Sequence, residues 1–225
     1  MHYPQGMVTS TTPLNIYPLR IVLRGISPLI WRRVLVRSDM TLAHLHALLQ
    51  ILFAWSAEHL HSFHIHGSEY GSSGAPTRGV RLRDFCLHRG ERLRYVYDCG
   101  AYWACDLRLE ARLPQTARQV YPVCTGGKRA APPEDCRGPW GYLEQLDQHR
   151  LSPPLEAMGV VAEAISTLLA ADPQTSVRAA LGDLDAFREA VDCLDAYEEF
   201  RPDHCDRHAV NTQLQALVWS AEETP

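Results

Sequence analysis

Residues 93–113 alternate more strictly than any other part of the chain. Trp103, Cys105, Leu107, Leu109 and Ala111 fall on one side, and Tyr102, Asp106, Arg108, Glu110 and Arg112 on the other. Successive side chains of a β-strand point to opposite faces, so this pattern demands a sheet with one buried and one solvated face. Asp98-Cys99-Gly100-Ala101 supplies hairpin-turn chemistry within the same stretch. Residues 16–25 repeat the period, with Tyr17, Leu19, Ile21 and Leu23 opposite Arg20 and Arg24. Ser27-Pro28 breaks the run, and residues 30–37 resume it as the second half of an antiparallel unit.

The period then changes. Asp39 or Thr41 can cap a helix in which Leu42, Leu45, Leu48, Leu49, Leu52 and Phe53 recur at helical spacing, ending near Trp55. Residues 59–70 read as extended and 67–79 as a loop. Past Pro114 a long loop rich in Gly, Pro and Cys leads to a helix expected from Pro139 or Trp140. A break at 151–154 precedes alanine-rich helices at about 155–171, 177–199 and 206–221. Early strands and late helices give an α+β fold, an antiparallel or mixed sheet packed on helices with a helical C-terminal insertion. The expected division is a flexible tail at 1–15, a core at 16–150, the insertion at 151–198, and a segment at 199–225 that returns to the core.

Composition narrows the setting. The 225 residues suit one large domain or a domain with a helical extension, and no apolar run is long enough to span a bilayer. Residues 1–13 do not read as a signal peptide. The seven cysteines are odd in number and scattered, so reduced thiols and a cytoplasmic location are expected. Lys128 is the only lysine among 22 basic residues, a bias better explained by codon usage than by nucleic-acid binding. Residues 1–149 carry 17 basic and 12 acidic groups, and residues 150–225 carry 5 and 14. The acidic C-terminal helices could therefore dock a protein partner.

Four constellations could carry chemistry. His59, His61, Cys105 and Cys124 offer zinc or another divalent metal a mixed ligand set, although no Cys-x-x-Cys pair exists. The carboxylates of Asp98, Glu134 and Asp135 could serve as acids or bases, or hold a hard cation. Glu134 and Asp135 also precede a helix start, where they could cap its open N–H groups. Gly126-Gly127-Lys128-Arg129 lacks Walker spacing and reads as a tight turn. Arg20, Arg24, Arg32 and Arg33 on the first strands could grip phosphates beside Tyr and Trp rings.

Several blocks occur together: YPLRIVLRGISPLIWRRVLV, TLAHLHALLQILFAW, HLHSFHI, YDCGAYWACDLRLE, YPVCTGGKRAAPPEDCRGPWGY and FRPDHCDRHAVN. In this order they resemble the plasmid pRiA ORF-three-like family, whose members are also labelled insertion-element passenger, TnpR-like proteins. The resemblance spans 16–150 and returns at about 199–217, and it implies an α+β domain. Where the family has YDFGD this chain has Tyr97-Asp98-Cys99-Gly100-Ala101, losing the last acid. Cys105 stands where an imidazole is common, and Ala131 where a cysteine is common. Both changes weaken a metal site.

A serine recombinase needs an activated serine among arginines. Ser10 lies in a Thr/Ser tail and Ser27 at a proline turn, so resolvase chemistry is not expected. The leading expectation is a non-enzymatic binding or accessory domain linked to mobile elements, with its site at His61, Asp98, Glu134 and Asp135. The alternatives are a metal-assisted hydrolase or nuclease, and a nucleic-acid-binding protein. No cofactor is predicted beyond the candidate metal.

Overall fold

The structure is a computed structural model that describes residues 14–116, 119–172, 176, 178 and 183–217. Of the expected tail at 1–15, residues 1–13 lie outside the described residues, and Asn15 already belongs to the first strand. The strands are β1 (Asn15–Leu23), β2 (Trp31–Arg37), β3 (His61–Ile65), β4 (Ser68–Gly71), β5 (Arg92–Tyr97), β6 (Trp103–Leu109), β7 (Leu113–Pro114) and β8 (Val123–Lys128). They form an eight-stranded sheet in the order β4-β3-β5-β6-β1-β2-β8, with β7 also paired to β1. Every pairing is antiparallel. The fold is α+β, as the two hydrophobic periods predict.

The alternation fixes which face is inward. Tyr17, Leu19, Ile21, Leu23, Val34, Val36, Leu93, Tyr95, Cys105, Leu107 and Leu109 all belong to one hydrophobic core. Helix α1 (Leu42–Phe53) covers that face with Leu42, Leu45, Leu48, Leu49, Leu52 and Phe53, all buried. Its cap is Thr41, whose hydroxyl accepts from the His44 N–H at 3.1 Å. Asp39 is engaged elsewhere, by Arg37. Ala54 in the left-handed region ends the helix, and Trp55 folds back beneath it.

Two local readings change. Residues 126–129 are not a free turn: Gly126 and Gly127 lie within β8, paired to Arg33 and Arg32 across a bulge. A Cβ on Gly127 would stand 2.8 Å from the Cys205 sulfur and 3.0 Å from Cδ of Arg32, so the glycine permits this close packing. The helix expected at Pro139 begins one residue earlier, as α2 (Gly138–Leu151), and sends Tyr142 and Leu146 into the core.

Helix α3 (Leu155–Ala170) packs against α4 (Leu184–Glu199) and leaves Leu155, Ile165 and Leu169 exposed. The His149 ring stacks on Tyr197 at 4.0 Å, tying α2 to α4. Helix α5 (Arg207–Ala216) packs on β8 and α1 and buries Leu214. The Asn211 amide brackets Cys124, accepting from its N–H at 2.7 Å and donating to its carbonyl at 3.0 Å.

Candidate functional site

Glu134 occupies a different place from the one its position before a helix predicts. Helix α2 starts at Gly138 with Arg137 as its cap, and no side chain caps it. The Glu134 carboxylate instead reaches the turn after α1. It accepts from the Ser56 N–H at 2.6 Å, the Ser56 hydroxyl at 2.9 Å and the Tyr97 hydroxyl at 2.6 Å. The His59 Nε2 lies 3.5 Å away, and the Trp103 indole donates to the Glu134 carbonyl at 3.4 Å. Burial opposes the charge, but the donors from Tyr97 and Ser56, with His59 nearby, hold the carboxyl below its usual range. Burial and the bond to Glu134 push Tyr97 upward.

This clamp draws three distant segments together. Ser56, Glu58 and His59 come from the turn after α1, Asp98, Gly100 and Ala101 from the β5–β6 hairpin, and Glu134, Asp135 and Arg137 from the loop before α2. They line one shallow cleft of about 580 Å³. Asp98 sits at the hairpin corner with φ of +55° and accepts from the Gly100 N–H at 2.8 Å. Asp and Asn are the side chains that best tolerate this conformation. His59 Nε2 is 4.0 Å from the Asp98 carboxylate, so the imidazole lies between two acids. Gly138, at φ +79°, lets the loop dock, because a Cβ there would meet the Ala101 carbonyl at 2.1 Å.

Of the four expected site residues, Asp98, Glu134 and Asp135 line this cleft and His61 does not. His61 shares the inward side of β3 with Phe63 and Ile65. Its ring stacks on His46 of α1 at 3.7 Å and 11°. His46 Nδ1 is 2.8 Å from the Tyr95 hydroxyl. Gln50 donates to that same hydroxyl at 2.8 Å, which leaves the phenolic proton for His46. Burial, reinforced by His61, lowers the His46 pKa to about 4, and burial lowers His61 as well. His61 Nε2 is buried with no hydrogen-bond partner among the described residues. Ser56, His59 and Tyr97 complete the site in its place. The signal for Tyr97 was its inward position one residue before Asp98. Nothing local marked Ser56.

The proposed metal ligands are not brought together. His59 lies in the cleft and His61 in the stack. Cys105 is wholly buried on β6, where burial pushes its thiol upward. Cys124 is buried on β8 and is likewise pushed upward by burial. Strands β1 and β2 separate the two cysteines, which at normal strand spacing is about 14 Å. Among the described residues no group of three or more His, Cys, Asp or Glu side chains is placed to hold a metal.

The four arginines divide by face. Arg20, Arg24 and Arg33 lie on the outer face, but Arg32 points into the core, 3% exposed, over the Phe53 ring at 5.7 Å. It donates to the carbonyls of Trp31 and Lys128 at 2.9 and 3.2 Å, and burial lowers its pKa.

The family model for plasmid pRiA4b ORF-3-like protein matches residues 15–157, all eight strands and α2 included. The chain belongs to the plasmid pRiA4b ORF-3-like family. The match contains every residue of the cleft. One relative of this family member is the uncharacterized protein y4hQ of Sinorhizobium fredii. The two are 29% identical over 138 residues, 58% of this chain and 71% of the relative. The crystal structure of MM3350 from Methanosarcina mazei Go1, a protein of unknown function, superposes with a TM-score of 0.61 at 29% identity. It covers 88% of this chain and 98% of its own, so the structural likeness extends beyond the family match. No helix among the described residues is long and apolar enough to cross a membrane.

Proposed function

We propose that this chain is a non-enzymatic binding or accessory domain whose acidic cleft receives a cationic group, an amine or a guanidinium. The observation that carries the reading is the convergence of Glu58, Asp98, Glu134 and Asp135 from three separate segments on one cleft. A ligand cation there replaces His59 as the partner of Asp98 and Glu134. A binding role fits better than acid–base catalysis because three donors already hold Glu134 in its charged form. The family's plasmid description supports a setting alongside mobile elements, and the free cysteines suit the cytoplasm. The acidic C-terminal helices, with exposed Leu155 and Leu169 on α3, offer a second surface for a protein partner.

Calorimetric titration tests the cleft, with agmatine as the cationic probe and succinate as an anionic control. Agmatine is expected to bind and succinate not to. The pair Asp98→Asn and Asp135→Asn should weaken agmatine by roughly tenfold, about 1.4 kcal/mol, without lowering the thermal midpoint. Absence of agmatine binding, or equal binding by the doubly substituted protein, would refute the reading.

A further inference from the structure

The outer sheet face carries a feature that the cleft does not use. Arg92 on β5 pairs with Arg108 on β6, Arg108 with Arg20 on β1, and Arg20 with Arg33 on β2. Four arginines therefore stand side by side on four adjacent strands, a row about 14 Å long. Like charges directly opposite one another destabilise a sheet, so three successive Arg–Arg pairs are costly unless an anion meets them. The neighbouring positions add Arg94 and Arg24, which share Asp106 at 3.3 and 2.9 Å. Arg33 is held by Glu110 through two bonds, at 2.7 and 3.0 Å.

These six arginines thus meet Asp106 and Glu110, with Glu69 of β4 at the far edge of the same face, on a chain of net charge −4. Among the described residues Arg20, Arg92 and Arg108 have no carboxylate within 4 Å. Arg92, Arg94, Arg108 and Arg24 are exposed. Half-buried Trp31 lies between Arg20 and Arg33, whose guanidinium carbons stand 5.2 and 5.8 Å from its ring. The stack fixes both cations against an aromatic base. Helices α1, α2 and α5 place their buried residues in the core on the opposite side.

We propose that this face is a docking surface for single-stranded nucleic acid, with the row Arg92–Arg108–Arg20–Arg33 following its phosphates. The surplus of cations supplies the charge complementarity. A single strand fits better than a duplex because an open sheet face offers a broad cationic platform and no protruding element to enter a groove.

Fluorescence anisotropy with a labelled 20-nucleotide strand, alone and as a duplex, tests this on the full chain. Binding at 50 mM salt is expected to weaken roughly 50-fold by 200 mM if four phosphates are engaged. The pair R92A and R108A should cost at least tenfold at 50 mM salt and halve the salt slope. Neither side chain makes a bond that the fold needs, so the thermal midpoint should hold. The pair R150A and R188A, with the same change in net charge on the helices, should bind as the parent does. The proposal is overturned by no binding at 50 mM salt, by an equal loss in the helix pair, or by tighter binding of the duplex.

Discussion

Replacing Glu134 with alanine is expected to remove about 3 kcal/mol of stability, the sum of several charge-assisted bonds less what water restores at the cleft. The thermal midpoint should fall by roughly 6–12 °C in a chain of this size. The carboxylate accepts three hydrogen bonds from two segments that are 37 and 78 residues away in sequence. Without it the hydroxyl of the buried Tyr97 loses its acceptor, and the turn after α1 loses its tie to the loop before α2. Glu134→Gln should cost about half as much, because an amide keeps one acceptor oxygen but presents N–H groups to donors. Asp135 is exposed, so Asp135→Ala should stay within about 0.5 kcal/mol of the parent. Urea unfolding of the three variants gives the comparison.

The second large effect is a loss of stability in mild acid. His46 is neutral in the folded protein, with its pKa lowered to about 4 by burial and by His61. In the unfolded chain an imidazole titrates near 6.5. Above that pH both states are neutral, and the stack contributes fully. As the pH falls below it the unfolded chain takes up protons first, and stability drops until the folded ring also protonates near pH 4. His61 is lowered in the same direction and adds to the loss. Between pH 7 and pH 5 roughly 1–2 kcal/mol should disappear, after allowance for the partial exposure of the ring. His46→Gln keeps an acceptor for Tyr95 while removing the titrating group. Its stability should vary much less over the same window, as urea midpoints at each pH would show.

Much of the sheet was legible because each strand must choose between core and water. The alternation in residues 16–25, 30–37 and 93–113 reports that choice one residue at a time. Strand β8 escaped because its two glycines have no side chain to show a face, and its bulge against β2 breaks the period. His61 could have been placed from parity, since it falls two residues before Phe63 and must share its inward side. The same rule separates Arg32 from Arg20, Arg24 and Arg33. Asp98 was readable as a hairpin corner, because turn chemistry is local. The role of Glu134 was not, because its partners are set by tertiary packing. Proximity to α2 suggested a cap, whereas the carboxylate is drawn to an N–H and two hydroxyls on other segments. Ser56 carries no pattern of its own and becomes part of the site only when the loop before α2 arrives.

A double-mutant cycle of Tyr97→Phe with Glu134→Ala isolates the hydrogen bond that clamps the cleft. Tyr97→Phe removes the donor, and Glu134→Ala the acceptor, of a single 2.6 Å bond. If the bond organises the cleft, the two losses of unfolding free energy should fall short of additivity by about 1–2 kcal/mol. Additivity to within about 0.3 kcal/mol would mean the two groups act independently, and the Tyr97–Glu134 bond would not be what holds the three segments.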